Sequence, residues 1–318
     1  LGRLDQEQRR FRPVAFVVAV IKKFGDDGGG KLAAQLTYSG FLSLFPLLLV
    51  LTTVLGYALA GRTDLQDRLL SSALVQFPII GDQLGSNVGS LHGNPWALTI
   101  GLAAALWGGL GVAQAAQDVL ATVWMVPRRR RPGFVPRLGK AVLTLVVLFF
   151  GLVVTAGLTS VGSQLPDVGI VTRVAIITAS AAVNVAWFGV AYRILMPVAL
   201  RWGEVWPGAV LAGVGWQVLL LLGATLVNRQ LRGATQSYGF FGIVLGLLGW
   251  LALLSTLLVL AAEVNVVRAK HLWPRSLLTP ALTEEDRRAL TAAAKVEERA
   301  PGERVRVAFT EPETDQAA

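Results

Sequence analysis

Three ionisable side chains, Asp118, Arg193 and Glu263, stand inside runs otherwise apolar enough to lie in lipid. On a helix Asp118 lies about seven residues, ~10 Å, inside the end of its run; Arg193 lies about eight residues before Arg201, and Glu263 about five before Arg268. An isolated charge at such depth costs roughly a few kcal/mol, and pairing or a wet cavity lowers that cost. Uncharged polar groups accompany them. Gln35, Ser39 and Ser43 fall at i, i+4 and i+8, a stripe on one helix face. Gln114 shares a helical neighbourhood with Asp118, and Asn265 follows Glu263. The chemistry that suits this set is reception of a polar head group in a chamber. Arg193 would contact an anion and be flanked by Asp118 and Glu263; Gln35, Ser39, Ser43, Gln114 and Asn265 would complete the lining. The alternative is that each charge snorkels or pairs structurally and carries nothing, which fits Glu263, nearest the surface, best.

Catalytic chemistry finds little to work with. The chain has no cysteine, which removes disulfides, a thiolate nucleophile and cysteine metal sites, and two histidines, His92 and His271, cannot form a histidine-rich cluster. No phosphate-cradling loop of the Walker type is present. The expectation is a protein that is not an enzyme, with no catalytic residue, no metal and no cofactor.

The elements that hold these residues are read from hydropathy. Of 318 residues, 53% are hydrophobic and 15% charged, outside the usual soluble range. Ala33–Ala60 is a run of 28 residues without a formal charge, long enough to cross a ~30 Å hydrocarbon core. Pro46 in its interior predicts a kink and a hinge. Further spans are expected at 96–125, 137–161, 174–200, 208–228 and 240–267. Small residues suited to close helix approach occur in three of them: Gly108, Gly109 and Gly111; Gly208, Ala212 and Gly215; Gly242 and Gly246. The fold class is therefore all-α, a polytopic membrane protein with six transmembrane helices.

Basic residues orient it. One set of flanking segments carries fourteen Lys and Arg, including Arg128, Arg129, Arg130 and Arg131, against five on the other side. The positive-inside rule puts the first set, and both termini, in the cytoplasm. The four-arginine run reads as a topology signal and an anionic-lipid contact rather than a nucleic-acid site. Residues 1–32 form a cytoplasmic or interfacial segment, with an amphipathic helix over 11–24 that Asp26–Gly30 breaks. Residues 33–267 are the membrane domain, and 61–95 carry short amphipathic helices in the first outer loop or an ordinary capping loop. Residues 268–318 are a soluble cytoplasmic tail, helical over about 284–299 and disordered from Ala300. Nothing resembles a cleavable signal peptide, and Leu1 in place of Met leaves the natural start open.

Two segments resemble the YihY/BrkB family of inner-membrane proteins: AAQLTYSGFLSLFP in the first span, and SYGFFGIVLGLLGWLALLSTLLVLAAEVN from Ser237 to Asn265. The family's closing Gly-Ala-Glu-x-Asn reads Ala261-Ala262-Glu263-Val264-Asn265 here, with Ala for Gly. The resemblance covers roughly residues 14–270 and is strongest to the YhjD-like branch. It implies a six-helix bacterial inner-membrane protein tied to the cell envelope, to virulence and, for that branch, to lipid export. It also brings a ribonuclease BN label, which the sequence does not support: metal-dependent nucleases need clustered carboxylates and histidines. The leading expectation is transport or flipping of a lipid-linked or amphiphilic anionic envelope component. The alternative is a non-transporting scaffold, and a nuclease comes last. Expected partners are membrane lipids and that substrate, with no nucleic acid; the sequence is silent on oligomeric state.

Overall fold

The computed structural model describes residues 2–58, 95–163, 170–226, 240–276 and 282–309. Among the described residues every regular element is helical. In chain order they are α1 Gly2–Arg10, α2 Arg12–Asp26, α3 Gly29–Ala58, α4 Pro95–Val123, α5 Phe134–Ser163, α6 Ile170–Leu195, α7 Trp202–Leu226, α8 Phe240–Ala269 and α9 Glu284–Ala294. Single turns of 3₁₀ helix occur at Arg128–Arg130 and Lys295–Glu297.

Six of these helices, α3 to α8, are 25 to 30 residues long, about 37–45 Å. Each packs on its neighbour in the chain, and α8 closes back on α3 to complete a ring. Among the described residues, Phe134–Thr155 and Val244–Ala269 are long and apolar enough to cross a membrane. The outward faces suit lipid: Trp107, Phe150, Val154, Ile177, Val218 and Leu253 are all exposed. The protein is a helical membrane protein, and its exposed faces solve the solvation problem by being apolar.

Close approach explains how the ring is drawn together. Trp187 of α6 donates its indole N–H to the Val147 carbonyl of α5 at 3.1 Å, over Gly151. Gly208 of α7 lies against α8 so closely that a Cβ there would strike the Ala261 carbonyl. Its amide donates to Asn265 Oδ1 at 2.6 Å, next to Pro207, which has no N–H to give.

Helix ends depart from the sequence reading in instructive ways. The fifth span begins at Trp202, not Gly208, because Pro207 is accommodated inside the helix. Its start is fixed by Glu204, which accepts the Arg201 amide at 2.7 Å. The fourth ends at Leu195, not Leu200, since Pro197 follows. The break expected across Asp26–Gly30 narrows to Asp27 and Gly28, the latter at φ +67, a left-handed conformation that favours glycine. Both α4 and α8 end on non-glycine left-handed residues, Met125 and His271, with i→i−5 bonds from Val126 to Ala121 (2.8 Å) and Leu272 to Val267 (3.0 Å). His271 thus terminates a helix. Helix α3 runs unbroken through position 46, while the Pro46 ring and the hinge expected of it lie outside the described side chains. The amphipathic pieces expected between 61 and 94 also lie outside the described residues.

The C-terminal segment is bound into the N-terminal one. Arg275, fully buried, pairs with Asp286 at 2.7 Å and Asp26 at 2.6 Å. Lys22 reaches Asp286 at 2.9 Å and the Ser276 carbonyl at 2.6 Å. Gln8 donates to the Arg275 carbonyl at 2.9 Å, and Arg9 to Ser276 Oγ at 2.9 Å. Asp286 also closes a capping box with Thr283 at the head of α9. Burial would raise the Asp286 carboxyl, but donors from Lys22, the Ser276 and Thr283 amides and Arg275 outweigh it and hold the group well below the usual carboxylate range. Residues 300–309, expected to be disordered on composition, are placed: Glu298 accepts the Val305 amide at 3.3 Å and Arg287 lies over Phe309 at 5.8 Å.

Candidate functional site

The charged centre of the bundle is built around Lys23. Helix α2 turns Val14, Val17 and Ile21 outward, as does Phe11 just before it, and Ala15, Ala19 and Lys23 inward, the latter three at i, i+4 and i+8. Two alanines let α2 approach α8 closely, and the lysine one turn further on is carried into the protein. Its side chain is 1% exposed. Nζ lies 2.5 Å from Asp27 Oδ2 and 3.0 Å from Glu263 Oε2, and donates to the Val123 carbonyl at the end of α4 at 2.9 Å. Lys270 donates to the next carbonyl, Trp124, at 2.6 Å. The turn after α2, the end of α4 and the end of α8 therefore meet at one ammonium.

Lys23 contacts both carboxylates, Lys270 adds a second ammonium within electrostatic reach of Asp27, and Glu263 is completely buried. Among the described residues no donor meets hydrogen-bond geometry at either Glu263 oxygen, so Lys23 holds it by charge. Burial pushes the Asp27 carboxyl above its ordinary value, with Lys23 pulling the other way. Such a group of charges is costly to hide and specific in what it demands.

The expected chamber is corrected on its central point: Arg193 is not flanked by Asp118 and Glu263. Because α6 stops at Leu195, Arg193 falls in its last turn and is exposed, its Nε bonded to the Leu200 carbonyl at 3.1 Å and its guanidinium over the Trp202 ring at 4.8 Å. Asp118 is instead tied to the segment that follows its own helix, with Arg137 at 2.9 Å and Arg131 at 3.7 Å. Neighbouring Gln117 donates to the Arg137 carbonyl at 3.1 Å. Asn265 serves the α7–α8 crossing through Gly208. Ser43 is buried and bonds back to the Gly40 carbonyl at 3.0 Å. Gln35 is exposed, while Ser39 and Gln114 are half-buried. Of the eight candidates, the structure joins Glu263 to a charge cluster and distributes the rest.

The four-arginine run is largely engaged within the chain. Arg129 binds Glu298 at 2.7 Å, Arg128 reaches Glu297 at 3.4 Å, and Arg131 leans on Asp118, leaving Arg130 exposed. Two residues of the cluster, Lys23 and Asp27, were not among the candidates read from sequence. Lys23 beside Lys22 resembles an ordinary flanking charge; the signal that distinguishes it is the Ala15–Ala19–Lys23 spacing on the small-residue face.

Residues 20–281 match the family model described as Virulence factor BrkB. The chain belongs to the BrkB family. The match takes in α3 to α8 and, at its two ends, the Lys23 and Glu263 sides of the cluster. This BrkB-family chain is 23% identical over 266 residues to the "Inner membrane protein YhjD" of Escherichia coli (strain K12), covering 74% of this chain and 76% of that one. It is 25% identical over 273 residues to the "Putative ribonuclease-like protein YfkH" of Bacillus subtilis (strain 168), covering 81% and 96% respectively. No solved structure matches it. Among the described residues no group of three His, Cys, Asp or Glu is placed to hold a metal ion.

Proposed function

We propose that this BrkB-family chain is a bacterial inner-membrane protein of six spans, both termini cytoplasmic, that transports or flips an anionic amphiphilic component of the envelope. The name of the Escherichia coli relative supports the location. The six helices of spanning length and the fourteen-to-five excess of basic residues support the topology. The transport reading rests on one observation, the Lys23–Asp27–Glu263 cluster. Ionisable groups inside a helical membrane bundle mark pathways and moving parts more often than they add stability. Lys23 is the link through which α2 and its turn hold α4 and α8, so its release frees one end of the bundle. Net charge +9, concentrated at that end, favours an anionic cargo over a cationic one.

The scaffold reading has its own support. Asp118, Asn265 and Ser43 each have a partner within the bundle, and Arg193 faces outward, so the polar groups that a head-group chamber would use are occupied or turned away. The two readings separate on the cluster. Glu263→Gln and Lys23→Met proteins, inserted at wild-type abundance, are compared with wild type for export of envelope lipid in a deletion strain. Transport predicts at least a tenfold loss of export in each. Unchanged export alongside a weakened envelope is the result expected of a scaffold and ends the transport reading.

A further inference from the structure

With Arg128, Arg129 and Arg131 paired to carboxylates inside the chain, the run expected to meet lipid is mostly engaged. Two other arginines are presented differently. Arg193 from the end of α6 lies over Trp202, and Arg268 from the end of α8 lies over Trp206 at 5.2 Å. Both arginines are exposed, and among the described residues neither has a carboxylate partner; Glu204, the acid between the two tryptophans, caps the Arg201 amide. Trp202 and Trp206 sit one turn apart on α7, about 6 Å along its axis, so guanidinium groups from α6 and α8 stack on successive turns of a third helix. Stacking takes one face of each planar group and leaves N–H edges available, the geometry with which arginine grips phosphate.

What lies beyond them identifies the phosphate's owner. Val210, Val214, Val218 and Leu222, spaced four apart, form an exposed ridge that winds part-way round α7 from the tryptophans toward the opposite end of the bundle. Half-exposed tryptophans at the charged end of such a stripe mark the headgroup level of a bilayer. A free anion would meet the arginines but leave the stripe without a role; a molecule with a phosphate at one end and acyl chains at the other meets both.

We infer that the α6–α7–α8 face is a binding site for an anionic phospholipid, whose headgroup phosphate lies between Arg193 and Arg268 and whose acyl chain follows Val210 to Leu222. The site stands whether the protein transports or acts as a scaffold, because it uses no residue of the Lys23 cluster.

The test is native mass spectrometry of the full chain released from nanodiscs of equimolar phosphatidylglycerol and phosphatidylcholine. Wild type retains phosphatidylglycerol at least fivefold over phosphatidylcholine, and the preference shrinks as salt is raised. An Arg193→Gln/Arg268→Gln double variant brings the ratio to near one, Arg193→Lys/Arg268→Lys restores part of it, and Arg304→Gln/Arg306→Gln, with the same charge change in the tail, leaves it intact. The inference is overturned if wild type shows no preference, if the double glutamine variant keeps it, or if inorganic phosphate displaces the lipid at equal concentration. Since the first and last of these are wild-type measurements, a variant that fails to fold does not shelter the proposal.

Discussion

At Gly208 a single hydrogen atom sets the distance between two membrane helices. A methyl group there would meet the backbone carbonyl of Ala261 and the amide of Asn265, and a backbone carbonyl in a helix cannot step aside as a flexible side chain can. Gly208→Ala is expected to cost ~1–3 kcal/mol as overpacking, and more if the Asn265 bond is lost with it. Gly249 is the matched control: nothing lies within 4 Å of a Cβ built there. Gly249→Ala should be neutral or stabilising by up to ~1 kcal/mol through helix propensity. Thermal unfolding of both variants in detergent checks the contrast, and equal midpoints would refute it. Lys23 is the other residue on which much turns. Taking away its ammonium leaves the buried Glu263 without the cation that holds it and Asp27 with Lys270 as the remaining charge nearby.

Among the elements, the clasp between the two ends of the chain invites the clearest pH experiment. The Asp286 carboxyl is depressed in the folded protein, so its contribution to the clasp is fully present above the unfolded carboxylate value of ~3.9. It is lost as pH falls through the lower, folded value. Hydrogen exchange should show residues 282–297 protected at neutral pH and opening as the medium becomes strongly acidic. Asp286→Asn opens them at neutral pH and flattens the acid dependence; truncating to Ala leaves Arg275 with Asp26 as its one remaining acid and opens the segment further. Unchanged protection in the Asn variant would dismiss the ionic account of the clasp. At this scale the sequence was most readable and also most misleading. Long uncharged runs announced the helices, because lipid demands backbone satisfaction and apolar surface from each span separately. Helix ends obey neighbours instead. Reading the fourth span to Leu200, when Pro197 ends it at Leu195, put Arg193 five residues too deep, and that error helped to place it in a chamber with acids that have other partners. Lys23 was missed for the opposite reason: its burial depends on α2 packing against a helix more than two hundred residues away, which no local spacing records.

For the molecule as a whole, six long helices packed in a ring that closes from α8 to α3 predict, if each crosses the bilayer once, a topology with both ends on one side. The chain lacks cysteine, so single cysteines can be introduced without background. Arg130→Cys should be protected from a membrane-impermeant maleimide in intact cells and labelled in inverted vesicles; Arg232→Cys should behave in reverse. Labelling of both from the same side would contradict six crossings.

The partners of Lys23 and Arg275 also carry a timetable. A ribosome delivers Lys23 early and Glu263 near the end, with Asp286 later still. Throughout synthesis α2 is a helix whose inward lysine lacks its distant acid, waiting at the surface of an unfinished protein. Only when α8 has been made can α2 settle, and only then can the tail lock over it. A product broken off before Glu263 would therefore keep its opening segment unmoored, an exposed handle by which proteases in the cell could tell partial chains from finished ones.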